Sequence, residues 1–96
     1  MITALLELTL TPEAVASAPA VIGTTLEATR AFDGCLGVDV LVDAEDETHL
    51  VLVERWESME HDAAYRAWRV TPEGASQLGT LLAAPPKLTR LTTTDV

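Results

Sequence analysis

The sequence predicts one α+β domain over residues 1–96, with an antiparallel sheet covered by helices on one face. Strand-like and helical segments follow one another in the order β-α-β-β-α-(α)-β. A short acidic segment at 44–47 joins two of the strands as a hairpin. Leu50–Val53 is an unbroken apolar run, and because successive strand side chains point to opposite faces, that strand needs burial on both sides.

The first strand and the first helix are predicted from alternation and from proline positions. Ile2 to Leu10 alternates as a strand that places leucines on one face. Thr11 before Pro12 has the pattern of a helix start, and Ser17 before Pro19 repeats that pattern, so two starts are open. Apolar residues at helical spacing then predict a helix to about Arg30.

The second and third strands form the predicted hairpin. Cys35 to Asp43 reads as the second strand, and about Thr48 to Trp56 as the third. Glu54 and Arg55 point to opposite faces of the third strand. Either side chain, if buried, requires a charged partner, for which a dimer contact is one source.

The last third of the chain contains further helix starts and a final strand. Ser58 is a predicted N-cap for a helix that runs to about Arg69. A second capped start at Thr71, followed by an apolar stripe to Leu82, predicts another helix. Lys87 to Thr94 reads as the last strand. The complete order is that of a ferredoxin-like split βαβ fold.

The apolar residues on both faces of the third strand also predict a homodimer. Helices in a chain of 96 residues cover one face of the sheet, and a second copy is the simplest cover for the other face. An interface between two sheets would enlarge a core that is modest in one short chain.

Composition excludes several classes of partner and site. The net charge of −9 argues against nucleic acid and anionic membranes, which both require a basic patch. Cys35 is the only cysteine, so neither an internal disulfide nor a zinc motif can form, and a reducing cytoplasm is the expected location. The sequence contains no glycine-rich phosphate loop, nucleophile elbow or membrane span, and we predict no metal and no cofactor.

Two motifs give the chain a family resemblance. T-R-A-F-D-G-C-L-G-V from Thr29 to Val38, followed by L-V-E-R-W-E-S from Leu52 to Ser58, resembles the antibiotic biosynthesis monooxygenase domain. The closing P-P-K-L-T-R-L resembles the last strand of that family. The resemblance implies a dimeric α+β barrel packed sheet against sheet, with a pocket between sheet and helices in each subunit.

The resemblance also implies a chemistry. Some members of the family oxidise aromatic polyketides to quinones with molecular oxygen and use neither metal nor flavin. The quinone-forming branch has an asparagine on the third strand at the position of Leu52, and the haem-degrading branch requires an asparagine on the first strand. This chain contains no asparagine. The absence argues against haem degradation, and it means that the asparagine used in quinone formation is missing.

Six residues are the candidates for a site. His61 is a candidate base, because histidine titrates near neutral pH, and the Tyr65 hydroxyl is a candidate contact for a substrate oxygen. Tyr65 and Trp68 share one helix face. The predicted pocket wall consists of Trp56, Trp68, Leu52 and Phe32. The alternatives are core packing for the aromatic side chains and an exposed helix start for His61.

Three functions agree with the sequence. The favoured one is a cofactor-independent monooxygenase that acts on an aromatic or polyketide-type molecule. The first alternative is a non-catalytic dimeric module that binds a ligand or serves as a scaffold, which Leu52 favours. The second alternative is an isomerase or cyclase, since proton transfer needs little more than one placed base.

Overall fold

The computed structural model describes residues 1–96 and confirms the predicted α+β fold. Four strands and two α-helices follow one another as β1 (Ile2–Thr9), α1 (Ala18–Ala31), β2 (Cys35–Asp43), β3 (Asp46–Trp56), α2 (Met59–Arg69) and β4 (Lys87–Thr92). Short 3₁₀ turns occupy Pro12–Ala14 and Leu78–Leu81. No helix combines the length and the apolar character that crossing a membrane requires.

The sheet has the strand order β2-β3-β1-β4, and all neighbouring strands are antiparallel. The predicted hairpin of β2 and β3 is present. β1 and β3 are central, with Ile2 opposite Trp56 and Leu8 opposite Leu50. The two α-helices connect strands on one side of this sheet, which is the ferredoxin-like arrangement.

The core lies between the sheet and the helices. On β3, Leu50, Leu52, Glu54 and Trp56 are all buried on this side. One apolar cluster joins the sheet to α1 and to the segment before β4, and a smaller cluster surrounds Trp56. The buried carboxylate of Glu54 is therefore placed at the boundary between two apolar regions.

The opposite face of the sheet, called the rear face below, has no helix over it. Val51 and Val53 lie there and are half-buried, while Leu41 and Leu91 are 52% and 42% exposed. The chain itself thus covers only one of the two apolar faces of β3, and burial of the rear face by a second copy stays a prediction.

Polar side chains at the hairpin end of the rear face form their own contacts. His49 lies 3.0 Å from Asp43 through Nδ1 and 3.3 Å from Glu7 through Nε2. The hydrogen bond to Asp43, followed by that to Glu7, raises the pKa of His49 above its ordinary value of 6.5.

The element boundaries differ from the predicted ones by small amounts, apart from one helix. Helix α1 begins at Ala18, so the second of the two predicted starts is the correct one, and Thr11 begins only a 3₁₀ turn. Strand β3 begins at Asp46, two residues earlier than predicted, and β4 ends at Thr92.

The predicted helix between Thr71 and Leu82 is wrong. The segment contains only turns and the 3₁₀ turn Leu78–Leu81. Its backbone pairs instead with the end of β1, since the amide of Ala83 donates to the carbonyl of Thr9 at 2.8 Å. The apolar spacing that predicted a helix serves here to place leucines against the core.

Candidate functional site

A cavity of about 280 Å³ lies between the sheet and the helical layer. Five leucines supply most of its apolar lining, and a glutamate, a tyrosine and two arginines supply polar groups. The lining residues are Leu6, Thr25, Leu26, Leu52, Glu54, Tyr65, Arg66, Arg69, Ser76, Leu78, Gly79, Leu82 and Pro86. An apolar chamber with a few convergent polar groups is typical of a small-molecule site.

The phenol of Tyr65 is hydrogen-bonded to the guanidinium of Arg69. Its hydroxyl lies 2.6 Å from the hydroxyl of Thr29 and accepts a hydrogen bond from Nε of Arg69 at 2.7 Å. Arg69 also donates to Oγ1 of Thr29 and to the carbonyls of Thr25 and Gly74. Every one of these acceptors is neutral, so the positive charge of Arg69 can stabilise negative charge that develops on an oxygen nearby.

Glu54 belongs to a buried network of charges. Its Oε1 accepts hydrogen bonds from Arg66 at 2.6 Å and from the indole of Trp56 at 3.1 Å. Arg66 also pairs with Asp62, and Asp62 accepts a hydrogen bond from Arg90. Glu54 and Asp62 are 1% and 0% exposed, so each carboxylate requires these partners.

Burial of Glu54 follows from the strand itself. Side chains alternate along β3, so Glu54 must share a face with Leu52 and Trp56, and the helices cover that face. Arg66 reaches it from α2, one helical turn after Asp62. The partner of Glu54 therefore comes from the same chain.

Four of the predicted site residues pack together as an aromatic cluster. Tyr65 lies over Trp56 with ring centroids 4.8 Å apart, and Phe32 meets Tyr65 edge-on at 5.3 Å. Trp68 lies 5.4 Å from Phe32. Such pairs add stability beyond the area that they bury, so the cluster fixes the orientation of Tyr65.

Some of the predicted site residues line the cavity, and the others belong to the aromatic cluster packed against Tyr65. Leu52 and Tyr65 line the cavity directly. Trp56 is fully buried and does not line the cavity, but it contacts two lining residues: its ring packs on Tyr65, and its indole donates a hydrogen bond to Glu54. Phe32 and Trp68 contact Tyr65 from the side of the cluster.

His61 lies apart from the cavity, at the start of α2. Ser58 caps this helix as predicted, because its hydroxyl accepts a hydrogen bond from the backbone amide of His61 and lies 2.7 Å from Nδ1 of the ring. The other ring nitrogen is 3.6 Å from Glu57 and 3.7 Å from Asp33. The ring lies beneath Gly34, where an added Cβ would be 2.3 Å from it.

Sequence reasoning did not select Glu54, Arg66 and Arg69 as lining residues. Arg66 follows Asp62 by one helical turn, a spacing that is typical of an ion pair on a helix face, and the two side chains do pair. The alternation along β3 was the available signal, since it places Glu54 between two buried apolar residues. Arg69 follows Tyr65 by one helical turn, which is a local signal for that contact, whereas its partners Thr25 and Thr29 come from a distant part of the chain.

Comparison with known proteins agrees with this architecture. Residues 1–76 match the family model described as antibiotic biosynthesis monooxygenase. The chain belongs to this family. No curated protein matched the chain in a search of such proteins.

Solved structures share the fold over almost their whole length. Rv0793 from Mycobacterium tuberculosis is 28% identical, with 99% of this chain and 96% of that chain covered and a TM-score of 0.78. PA3566 from Pseudomonas aeruginosa is 22% identical, with 97% and 93% covered and a TM-score of 0.74. A structure described as antibiotic biosynthesis monooxygenase is 21% identical, with 98% and 99% covered and a TM-score of 0.80. The monooxygenase family fold thus accounts for the entire domain.

Proposed function

We propose that this protein is a cofactor-independent monooxygenase that acts on an aromatic or polyketide-type small molecule, with the 280 Å³ cavity as its active site. Membership of the monooxygenase family supports the reaction class. The observation that carries the proposal is that a buried carboxylate, Glu54, and a cation-held phenol, Tyr65, line one mostly apolar cavity.

The proposed reaction converts a CH₂ group that is joined to a ketone through an aromatic ring, as in anthrone, into a second carbonyl group. Glu54 accepts a proton from the carbon, and the hydrogen bonds of Tyr65 and Arg69 stabilise the enolate oxygen. The carbanion gives its electrons to O₂ and forms a carbon–oxygen bond. The resulting peroxide anion takes up the proton from Glu54 and becomes a hydroperoxide. The carbon then loses its second hydrogen as a proton while the O–O bond breaks, and the hydroxide that leaves takes up a proton to form water. The balance is CH₂ + O₂ → C=O + H₂O, with all electrons supplied by the substrate.

Each part of the cavity has a task in this scheme. Leu52 and the other leucines keep water away from the carbanion, which water would otherwise reprotonate. Arg66 and Trp56 hold Oε1 of Glu54 and leave Oε2 as the oxygen that can face the substrate. Tyr65 is oriented by the aromatic cluster behind it.

Oxygen uptake with anthrone, in buffer containing a metal chelator, tests the proposal. We expect uptake by the wild type and one molecule of water formed per O₂ consumed. Glu54→Gln keeps the shape and the hydrogen bonds, and it should lower kcat by about 10²–10⁴-fold because it removes the base. Tyr65→Phe should lower kcat by about tenfold or more.

His61→Gln separates this proposal from the hypothesis that His61 is the base. If the cavity is the active site, this variant keeps its oxygen uptake, because His61 lines none of the cavities. Loss of uptake in His61→Gln together with full uptake in Glu54→Gln would overturn the assignment of Glu54.

We also propose that two copies of the chain form a homodimer through the rear face. Val51, Val53, Leu41 and Leu91 supply apolar area there that the helices do not cover. Sedimentation should give twice the monomer mass, and a charge introduced by Val53→Glu should shift the protein to monomers. The cytoplasm stays the predicted location.

One observation favours a non-catalytic alternative. Leu52 is 1% exposed and lines the cavity at the position where the quinone-forming relatives are expected to carry an asparagine. Its side chain offers no hydrogen bond to a substrate. Binding of anthrone without oxygen uptake would favour a ligand-binding module, and a changed product without uptake would favour an isomerase or cyclase.

A further inference from the structure

A second cavity lies outside the proposed active site. It has a volume of about 450 Å³ and runs between α1 and the hairpin of β2 and β3. Leu26 is the only lining residue that it shares with the smaller cavity. The lining residues are Leu10, Val15, Ala18, Pro19, Ile22, Gly23, Leu26, Arg30, Val40, Val42, Glu47 and Leu50. We call this cavity the α1 groove.

The α1 groove exists because α1 does not cover the full length of β2. Val38, Val40 and Val42 point to the helical side of the sheet, since they pair with residues of β3 that face the helices. Val38 is buried, but Val40 and Val42 are 41% and 60% exposed. On the facing helix, Gly23 leaves open space where a side chain would stand, with no atom within 4 Å of an added Cβ.

Arg30 is the only cation in the groove, and no carboxylate compensates it. The chain has six lysines and arginines, and four of them pair with carboxylates. Arg30 and Arg69 are the two that do not. Arg30 makes one hydrogen bond, from its guanidinium to the carbonyl of Val38 at 2.9 Å. A guanidinium has five N–H donors, so most of its donors are free for a ligand.

The groove is elongated and polar only at its rim. Lining residues of α1 extend from Ala18 to Arg30, which corresponds to about 18 Å along a helix. Glu47 lies at the hairpin end, away from Arg30, which contacts Val38. A negative charge is therefore attracted to the Arg30 end and repelled from the other end.

We propose that the α1 groove binds a long-chain aliphatic carboxylate, with its carboxylate on Arg30 and its hydrocarbon chain along Val40 and Val42. The hydrocarbon chain takes the exposed valines out of water, and a charge-assisted pair fixes the head group. This site is independent of the proposed oxygenation chemistry, so either proposal can fail without the other.

Binding of dodecanoate to the wild-type protein, measured by titration calorimetry, tests the chemistry of the ligand. 1-Dodecanol has the same chain without the charge, and butanoate has the charge without the long chain. We expect dodecanoate to bind about tenfold or more tightly than 1-dodecanol, and butanoate not to bind measurably. Equal affinity for dodecanoate and 1-dodecanol would overturn the proposal. Absence of dodecanoate binding would also overturn it, and a second copy of the chain that covers the groove would give that result.

Two variants test the place of binding. Arg30→Gln should reduce the affinity for dodecanoate to that for 1-dodecanol and leave the affinity for 1-dodecanol unchanged. Gly23→Leu should abolish the binding of both, because its side chain fills the groove, and it adds a good helix former to α1. Unchanged dodecanoate binding in Gly23→Leu, in a variant whose thermal unfolding shows that it is folded, would overturn the assignment.

Discussion

Replacement of Arg66 by methionine tests the buried charge network most directly. Arg66 is the only ionic partner of Glu54, whereas Asp62 keeps Arg90 when Arg66 is removed. Removal of one partner from a buried ion pair costs about 3–5 kcal/mol, because the remaining charge has neither water nor a counter-ion. The side chain of Arg66 is 21% exposed, so we expect the lower end of this range, about 3 kcal/mol.

Thermal unfolding converts this free energy into a measurable shift. A change of 1 kcal/mol lowers Tm by roughly 4–8 °C in a domain of this size, so Arg66→Met should lower Tm by about 12–24 °C. The matched control is Arg30→Met, which removes an exposed arginine without a carboxylate partner and should change stability by about 0.5 kcal/mol or less.

A double variant identifies the cause of the loss. Glu54→Gln in the Arg66→Met background removes the uncompensated charge, so it should recover part of the lost stability, with a coupling free energy of about 1.5 kcal/mol or more. Additive effects of the two substitutions, or a Tm change for Arg66→Met as small as that of the control, would refute the interpretation of the network as a compensated buried pair.

Three further outcomes follow from local geometry. The pKa of His49, measured by NMR titration, should exceed 6.5 and should fall in Asp43→Asn. Asp43 and then Glu7 raise this pKa in the folded state, so protonated His49 stabilises the fold. That contribution is complete below pH 6.5 and disappears as the pH rises through the raised pKa. Gly34→Ala should destabilise the protein by about 1 kcal/mol or more in urea unfolding, because Gly34 has φ +87° and an added Cβ would lie 2.3 Å from an imidazole ring. Gly23→Ala should stabilise it by roughly 0.5–1 kcal/mol, because the site is a helix interior with open space; a loss of stability there would contradict this.

Local sequence signals predicted most of the fold. Strand-like patterns, alternating in β1 and unbroken in β3, located all four strands, and Ser58 caps α2 as predicted. The exception is the segment from Thr71 to Leu82, where a helix-start signal followed by an apolar stripe predicted a helix that does not form. There the backbone pairs with the end of β1, and Gly74 is packed so closely on Trp68 that an added Cβ would lie 2.0 Å from its carbonyl oxygen.

The candidate site was predicted less completely than the fold. Phe32, Trp56, Tyr65 and Trp68 do meet, and Leu52 and Tyr65 line one cavity. The positions of Phe32, Leu52 and Trp56 came from the two family motifs. Tyr65 and Trp68 were selected because they share one helix face.

By itself, the sequence determined the order of the elements and the faces of the strands, because these depend on the spacing of residues along one segment. Only the tertiary structure decided that Arg66 neutralises Glu54 and that His61 is not among the residues that line the cavity. It also decided that Arg69 donates hydrogen bonds to Thr25 and Thr29. Glu54 and Arg66 are 12 positions apart, and Thr25 and Thr29 lie 44 and 40 positions before Arg69. The path of the folded chain sets these distances, and the spacing within one segment does not encode them.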